Sequence, residues 1–209
     1  MRMNEIIDAL SVWTTTRASG ITSYLFLFLS TIAGIAMGSR LIANKAKAIV
    51  LTMHQSAGWF GFLFGMMHGA VLLFDQYVGY SVSGLLIPFT AESHPVLTGM
   101  GTLSFYMAFI VILSSDMMKK LGKKAWKMTH MLAFPGYFLA LLHGLLIGSD
   151  SSYPWAQAMY GATGIMVVAL TVYRLWTVKK DKGEAPKSGR VPYPNAKPII
   201  IETSEYKVR

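Results

Sequence analysis

Five apolar stretches, near residues 19–38, 48–74, 96–115, 126–148 and 155–177, constrain this chain more than any other feature. Each is nearly free of charge and has about the 20 helical residues needed to cross a bilayer core of roughly 30 Å. The predicted fold class is therefore all-α, an integral membrane helical bundle with five transmembrane helices. Composition agrees. Apolar residues make up 53% of the 209 and charged residues only 14%, against about 25% charge in soluble domains. That balance excludes a disordered chain, a fibrous protein and an ordinary soluble enzyme. The absence of Cys excludes disulfides, thiolate metal sites, iron–sulfur clusters and thiol catalysis.

Charge sets the orientation. Of the 19 Lys and Arg residues, all but Arg2 and Arg17 fall on one side: in the first loop, in the third loop, or at and beyond the end of the fifth span. The third loop alone carries Lys119, Lys120, Lys123, Lys124 and Lys127. The positive-inside rule then places the N-terminus outside and the C-terminus in the cytoplasm. Basic charge spread over membrane loops does not make a nucleic-acid surface, and anionic membrane lipid accounts for it. Residues 4–13 put Ile6, Ile7, Leu10 and Trp13 on one helical face, which predicts a short amphipathic helix on the outer surface. No cleavable signal peptide is expected in the first twenty residues. The apolar segment 78–89 is too short to cross and reads as an interfacial or re-entrant piece.

The domain reading is a 1–17 extracytoplasmic amphipathic segment, an 18–178 transmembrane domain and a 179–209 polar cytoplasmic tail. The Pro-rich tail reads as disordered or as a docking strand for a partner. A flavin or nicotinamide domain needs of order 100 residues, far more than the tail holds.

Four of the five histidines lie inside spans: His54 and His68 in the second, His130 and His143 in the fourth. Ionisable residues at membrane depth are rare and mark function, and imidazole is a standard haem-iron ligand. The intervals of fourteen and thirteen residues correspond to roughly 21 and 19.5 Å of helix. Both spans run the same way, so His54 and His130 share the inner level and His68 and His143 the outer. Two pairs at two matching depths are what two stacked haems between two helices require. A single such histidine is as readily explained by a helix–helix hydrogen bond. Zinc wants its ligands within a few ångströms of one another, not on two separated levels. Fourteen residues return His68 to nearly the face of His54, but thirteen leave His143 about 140° from His130 on an ideal helix. The sequence therefore predicts a local irregularity, at Pro135-Gly136.

On these residues the chain resembles the ferric reductase-like transmembrane domain family. That di-haem core is shared by NADPH oxidases, ferric reductases and the haem-binding membrane subunit of bacterial methionine sulfoxide reductase. The resemblance covers about residues 17–176. It rests on the two histidine pairs, on Trp126-Lys127-Met128-Thr129-His130 with Leu142-His143-Gly144, and on Thr16-Arg17-Ala18-Ser19-Gly20, which resembles the start of bacterial single-domain members. The chain lacks the oxidases' extra N-terminal span and cytoplasmic flavin–nicotinamide module. The resemblance implies two haem b groups, each held by two histidines, in a multi-pass protein of a bacterial cytoplasmic membrane. Electrons would come from a cytosolic flavin reductase or a membrane quinone. The acceptor outside would be ferric iron, oxygen or an extracytoplasmic partner protein. A non-redox alternative is a haem-free helical transporter or assembly factor.

Haem propionates favour a cationic edge, which makes Arg17 (outer) and Arg40 (inner) candidate partners beside a role as interfacial anchors. Trp126 and Lys127 border the inner site and read chiefly as aromatic belt and topology charge. Trp59, Phe60, Phe62, Phe64, Phe134, Tyr137 and Phe138 lie between the ligand levels and read first as packing, with electron bridging as the alternative. Gly58, Gly61, Gly65, Gly69 and Gly144 allow close helix approach. His94 reads as a loop residue, and Asp150, Ser151 and Ser152 as helix caps.

Overall fold

The computed structural model describes residues 11–39, 41–75 and 79–184. Seven α-helices follow in order: α1 (Val12–Met37), α2 (Lys47–Leu72), α3 (Val82–Leu86), α4 (Pro95–Asp116), α5 (Met118–His130), α6 (Ala133–Ile147) and α7 (Pro154–Glu184). A 3-10 turn (Asn44–Ala46) precedes α2, and the described residues contain no strand. Ser11 caps α1 by accepting from the Thr14 backbone N–H. Pro95 and Pro154 stand at the first turns of α4 and α7, where a missing N–H costs nothing.

Among the described residues, α1, α4 and α7 are each long and apolar enough to cross a membrane, and the bent pair α5–α6 makes a fourth if counted as one span. The five spans expected from sequence are thus reduced to three or four by length and apolarity. The shortfall is α2. Its 26 residues are long enough, but His54, Gln55 and His68 dilute its apolar character. α1 begins at Val12, inside the segment assigned to the outer surface, so Trp13 and Arg17 stand on its first turns. The expected amphipathic helix over 4–13 lies mostly outside the described residues, as does the tail beyond 184. α7 itself continues past the boundary expected at 178. Within the segment 78–89 the structure has only the single short turn of α3.

Two antiparallel hairpins organise the bundle. α1 packs along α2, and α4 packs along α6 and α5; α1 also meets α6 and α7. The histidine-bearing helices α2 and α6 are not among the closely packed pairs. The α1–α2 seam alternates small and larger residues at steps of three and four: Ser23, Leu27 and Ser30 face Gly65, Gly61 and Gly58. Serines bond across helices, Ser23 Oγ to the Gly61 carbonyl (2.7 Å), Ser30 Oγ to that of His54 (2.9 Å) and Ser104 Oγ to that of Gly136 (2.8 Å). Each such bond contributes about 0.6 kcal/mol between helices in lipid. The tightest packing is where α1, α6 and α7 meet, around Tyr24, Tyr137, Leu141, Tyr160 and Val167. There the Thr163 hydroxyl donates to the Met159 carbonyl, so Tyr24 donates to Thr163 and accepts from Tyr137.

The irregularity in the fourth span is present but displaced. α5 and α6 meet at a 41° bend across Met131 and Leu132, four residues ahead of Pro135 rather than at it. Proline has no N–H to give the carbonyl four residues back, and its ring crowds that carbonyl. The chain tightens there instead, with Met131 N–H on the Met128 carbonyl (3.2 Å) and Leu132 N–H on that of Thr129 (3.0 Å). A second break, at Gly122 within α5, has φ 78° and ψ 153°, a conformation suited to glycine.

Candidate functional site

The four span histidines come together as two pairs. His54 on α2 and His130 at the end of α5 have ring centres 5.9 Å apart, with planes at 66°. His68 on α2 and His143 on α6 have ring centres 6.3 Å apart, with planes at 80°. The pairing by level expected from sequence is the pairing found. The bend between α5 and α6 is what brings His130 and His143 to the same partner helix.

Hydrogen bonds orient three of these rings. His54 Nδ1 lies 2.8 Å from the Ser30 carbonyl, His68 Nδ1 2.9 Å from that of Thr16, and His143 Nδ1 2.8 Å from that of Leu97. A carbonyl only accepts, so each Nδ1 carries the proton and in the neutral ring each Nε2 keeps a free lone pair. This is the arrangement that orients metal-ligating histidines elsewhere. His130 differs. Its Nδ1 has only Ser115 Oγ at 3.5 Å, and the Trp126 indole lies against its ring at 5.2 Å between centres. Trp126 Nε1 donates to the same Ser115 hydroxyl (3.2 Å). Trp126 therefore touches the inner pair as well as bordering it.

A cavity of about 620 Å³ opens beside the His68–His143 pair, lined by both histidines with Arg17, Thr16, Tyr80 and Asp150. That volume falls in the range of ligand pockets, about 300–1,000 Å³. The Thr16 hydroxyl is buried there without a hydrogen-bond partner, which leaves a polar group free for a ligand. Arg17 does reach the cavity beside His68 and His143. Its guanidinium grips the Asp150 carboxylate through Nε (2.8 Å) and Nη2 and lies over the Trp13 ring. Asp150 is buried, at 6% exposure. Sequence reasoning took it for a helix cap. Its partner lies 133 residues away, and the only hint was that it is the one acid in that short loop. Arg40, the inner candidate, lies outside the described residues.

The aromatic residues between the levels chiefly pack helices together. Phe62 stacks on Phe105 at 4.9 Å, Phe26 meets Phe60 and Phe64, and Tyr137 is buried against Tyr24. His94 is exposed at the start of α4 with a left-handed backbone, φ 47°. It lies apart from both pairs.

Among the described residues no group of three or more His, Cys, Asp or Glu side chains converges as a metal site. Two facing imidazoles suit a different geometry. With a metal–nitrogen bond of about 2.0–2.1 Å and about 1.2 Å from Nε2 to ring centre, two axial imidazoles on one iron have centres about 6.4 Å apart. Both observed pairs lie within half an ångström of that value. Comparison with protein-family models, characterised proteins and solved structures finds no match to this chain.

Proposed function

We propose that this protein is a membrane b-type cytochrome of the ferric reductase-like kind, carrying electrons from a cytosolic or membrane donor to an acceptor outside. The observation that carries this reading is the paired geometry, two imidazoles facing one another at axial-ligand distance on each of two levels. Haem b at each level would supply a one-electron relay with no open iron position. The chain's own residues do the rest. Backbone carbonyls turn His54, His68 and His143 so that each Nε2 is the available ligand atom. Arg17, with N–H groups left beyond the two that hold Asp150, and the unpartnered Thr16 hydroxyl would bind an anionic edge at the outer level. α2, which falls short on apolarity, would be the fifth span, shielded on one side by whatever fills the space between it and α6. Lys119, Lys120, Lys123, Lys124 and Lys127 are all exposed and would steer an acidic, flavin-bearing donor toward the inner pair.

Histidine variants test this directly. In detergent-purified protein, His68→Ala or His143→Ala should each remove one haem, the outer one. His54→Ala or His130→Ala should each remove the inner one, leaving about half the Soret absorbance in every case. Folded wild-type protein without haem, or a full complement retained in all four variants, would overturn the proposal.

A further inference from the structure

Each of the three carbonyl-bonded histidines is pressed against a glycine on the neighbouring helix. A methyl group at Gly20 would stand 2.9 Å from His68 Nδ1, one at Gly34 3.1 Å from His54 Cε1, and one at Gly101 2.8 Å from both Nδ1 and Cε1 of His143. The same offset recurs in all three. The carbonyl that accepts from Nδ1 belongs to the residue four positions before the glycine: Thr16 before Gly20, Ser30 before Gly34, Leu97 before Gly101. In a helix that carbonyl points toward the residue four positions on. An imidazole reaches it only by lying where a Cβ on that residue would be. Glycine opens the space, and the ring can then share the carbonyl.

We propose that Gly20, Gly34 and Gly101 are positioning residues, seats that fix the Nδ1–H tautomer and the direction of Nε2 for His68, His54 and His143. This rests on the reading of those histidines as ligands. Gly20 and Gly34 are fourteen residues apart on α1, matching the fourteen between His54 and His68 on the antiparallel α2, so one repeat sets two seats. On the other hairpin the interval is thirteen. Thirteen residues after Gly101 stands Ser114, opposite His130 in the same register. Ser114 carries a Cβ and is buried, donating to the Val111 carbonyl. His130 accordingly has no carbonyl partner, only the long contact to Ser115. The inner pair therefore combines one seated imidazole with one unseated, while the outer pair is seated on both sides.

Two measurements test the seats. In the haem-free full-length chain, ¹⁵N NMR of labelled histidines should find His54, His68 and His143 as hydrogen-bonded Nδ1–H tautomers, assigned by single histidine substitutions. His130 should exchange between tautomers. Gly34→Ala should release the His54 tautomer alone, and in protein supplied with haem it should abolish or shift the low-spin signal of the inner centre alone. Gly20→Ala and Gly101→Ala should do the same to the outer centre. Gly161→Ala is the control, since a Cβ at this exposed helical position meets nothing within 4 Å, and it should be silent. Unlocked tautomers in the wild-type chain, or seat variants indistinguishable from Gly161→Ala, would overturn the inference. Locked tautomers in a chain that takes up no haem would leave the seats standing and remove the cytochrome reading instead.

Discussion

A backbone carbonyl can only accept a hydrogen bond, and that decides the chemistry of His54, His68 and His143 at the scale of single atoms. Once Nδ1 donates to the carbonyl of Ser30, Thr16 or Leu97, the free lone pair of the neutral ring belongs to Nε2. The Arg17–Asp150 pair is the other residue-scale device. It joins the first turns of α1 to the loop before α7, with Arg17 38% exposed and Asp150 8% by side chain. A two-pronged, half-buried pair contributes more than a surface ion pair and less than a buried one, about 1–2 kcal/mol. Asp150→Ala should therefore lower the thermal midpoint of the haem-free protein by several degrees, and Arg17→Ala, Asp150→Ala together should add little. An unchanged midpoint for Asp150→Ala would show that the pair is incidental. The four ligand candidates were legible in the sequence because imidazole is rare at membrane depth and the intervals match. The seats were not, because the acceptor is main chain and has no letter. Of the glycines singled out from sequence, Gly58, Gly61 and Gly65 serve the α1–α2 seam, Gly144 lies against Tyr160 on α7, and a Cβ at Gly69 would meet nothing within 4 Å.

At the level of elements, the difference between fourteen and thirteen residues explains the contrast between the two hairpins. Fourteen is two heptads, so on a seam that steps by three and four the ligands and the seats stay on one side of α2 and α1 without distortion. Thirteen does not close on that repeat, and the fourth span breaks between α5 and α6. Pro135 is the cause. It stands in the first turn of α6, where proline is tolerated, but it cannot continue α5 through to α6, and the break turns His130 toward α2 while His143 already faces it. Pro135→Ala should restore a bond to the Met131 carbonyl, straighten the span and stabilise the haem-free protein. It should also carry His130 off its partner and lose the inner haem. Retention of both haems in a straightened Pro135→Ala helix would contradict this role for the bend. The sequence pointed to a bend near this proline through its helical phase. It pointed to the wrong residues because the break falls one turn earlier, at the Met131 carbonyl that Pro135 has no N–H to reach and that takes the Phe134 N–H instead (3.2 Å).

Among the described residues, two helical hairpins, with α7 packed on α1 and α6, hold α2 apart from the bent pair α5–α6 that carries the other two span histidines. α2 packs on α1, α6 packs on α4, and α2 and α6 face each other across the space where the imidazoles meet. This arrangement also accounts for α2 falling short of the apolar stretch that α1, α4 and α7 each reach. A helix that turns histidines toward α5 and α6 and small residues toward α1 has only part of its surface left for lipid. The all-helical, membrane-like character was legible from the apolar stretches; the expected count of five spans was not matched, since three or four helices among the described residues qualify. The standing of α2 was not legible, because a span whose histidines face other helices looks the same in sequence as a helix that fails to cross. The perpendicular setting of the rings gives the most direct test. If each pair holds a haem iron, rings set at 66° and 80° would produce strongly anisotropic low-spin ferric signals, distinct from those of parallel rings. The measurement is low-temperature EPR of the oxidised full-length chain in lipid nanodiscs, with spins counted against haem. Two such low-spin centres per chain are expected. A folded chain that shows no ferric haem signal, or only high-spin iron, would contradict the assignment of the two histidine pairs as axial ligands.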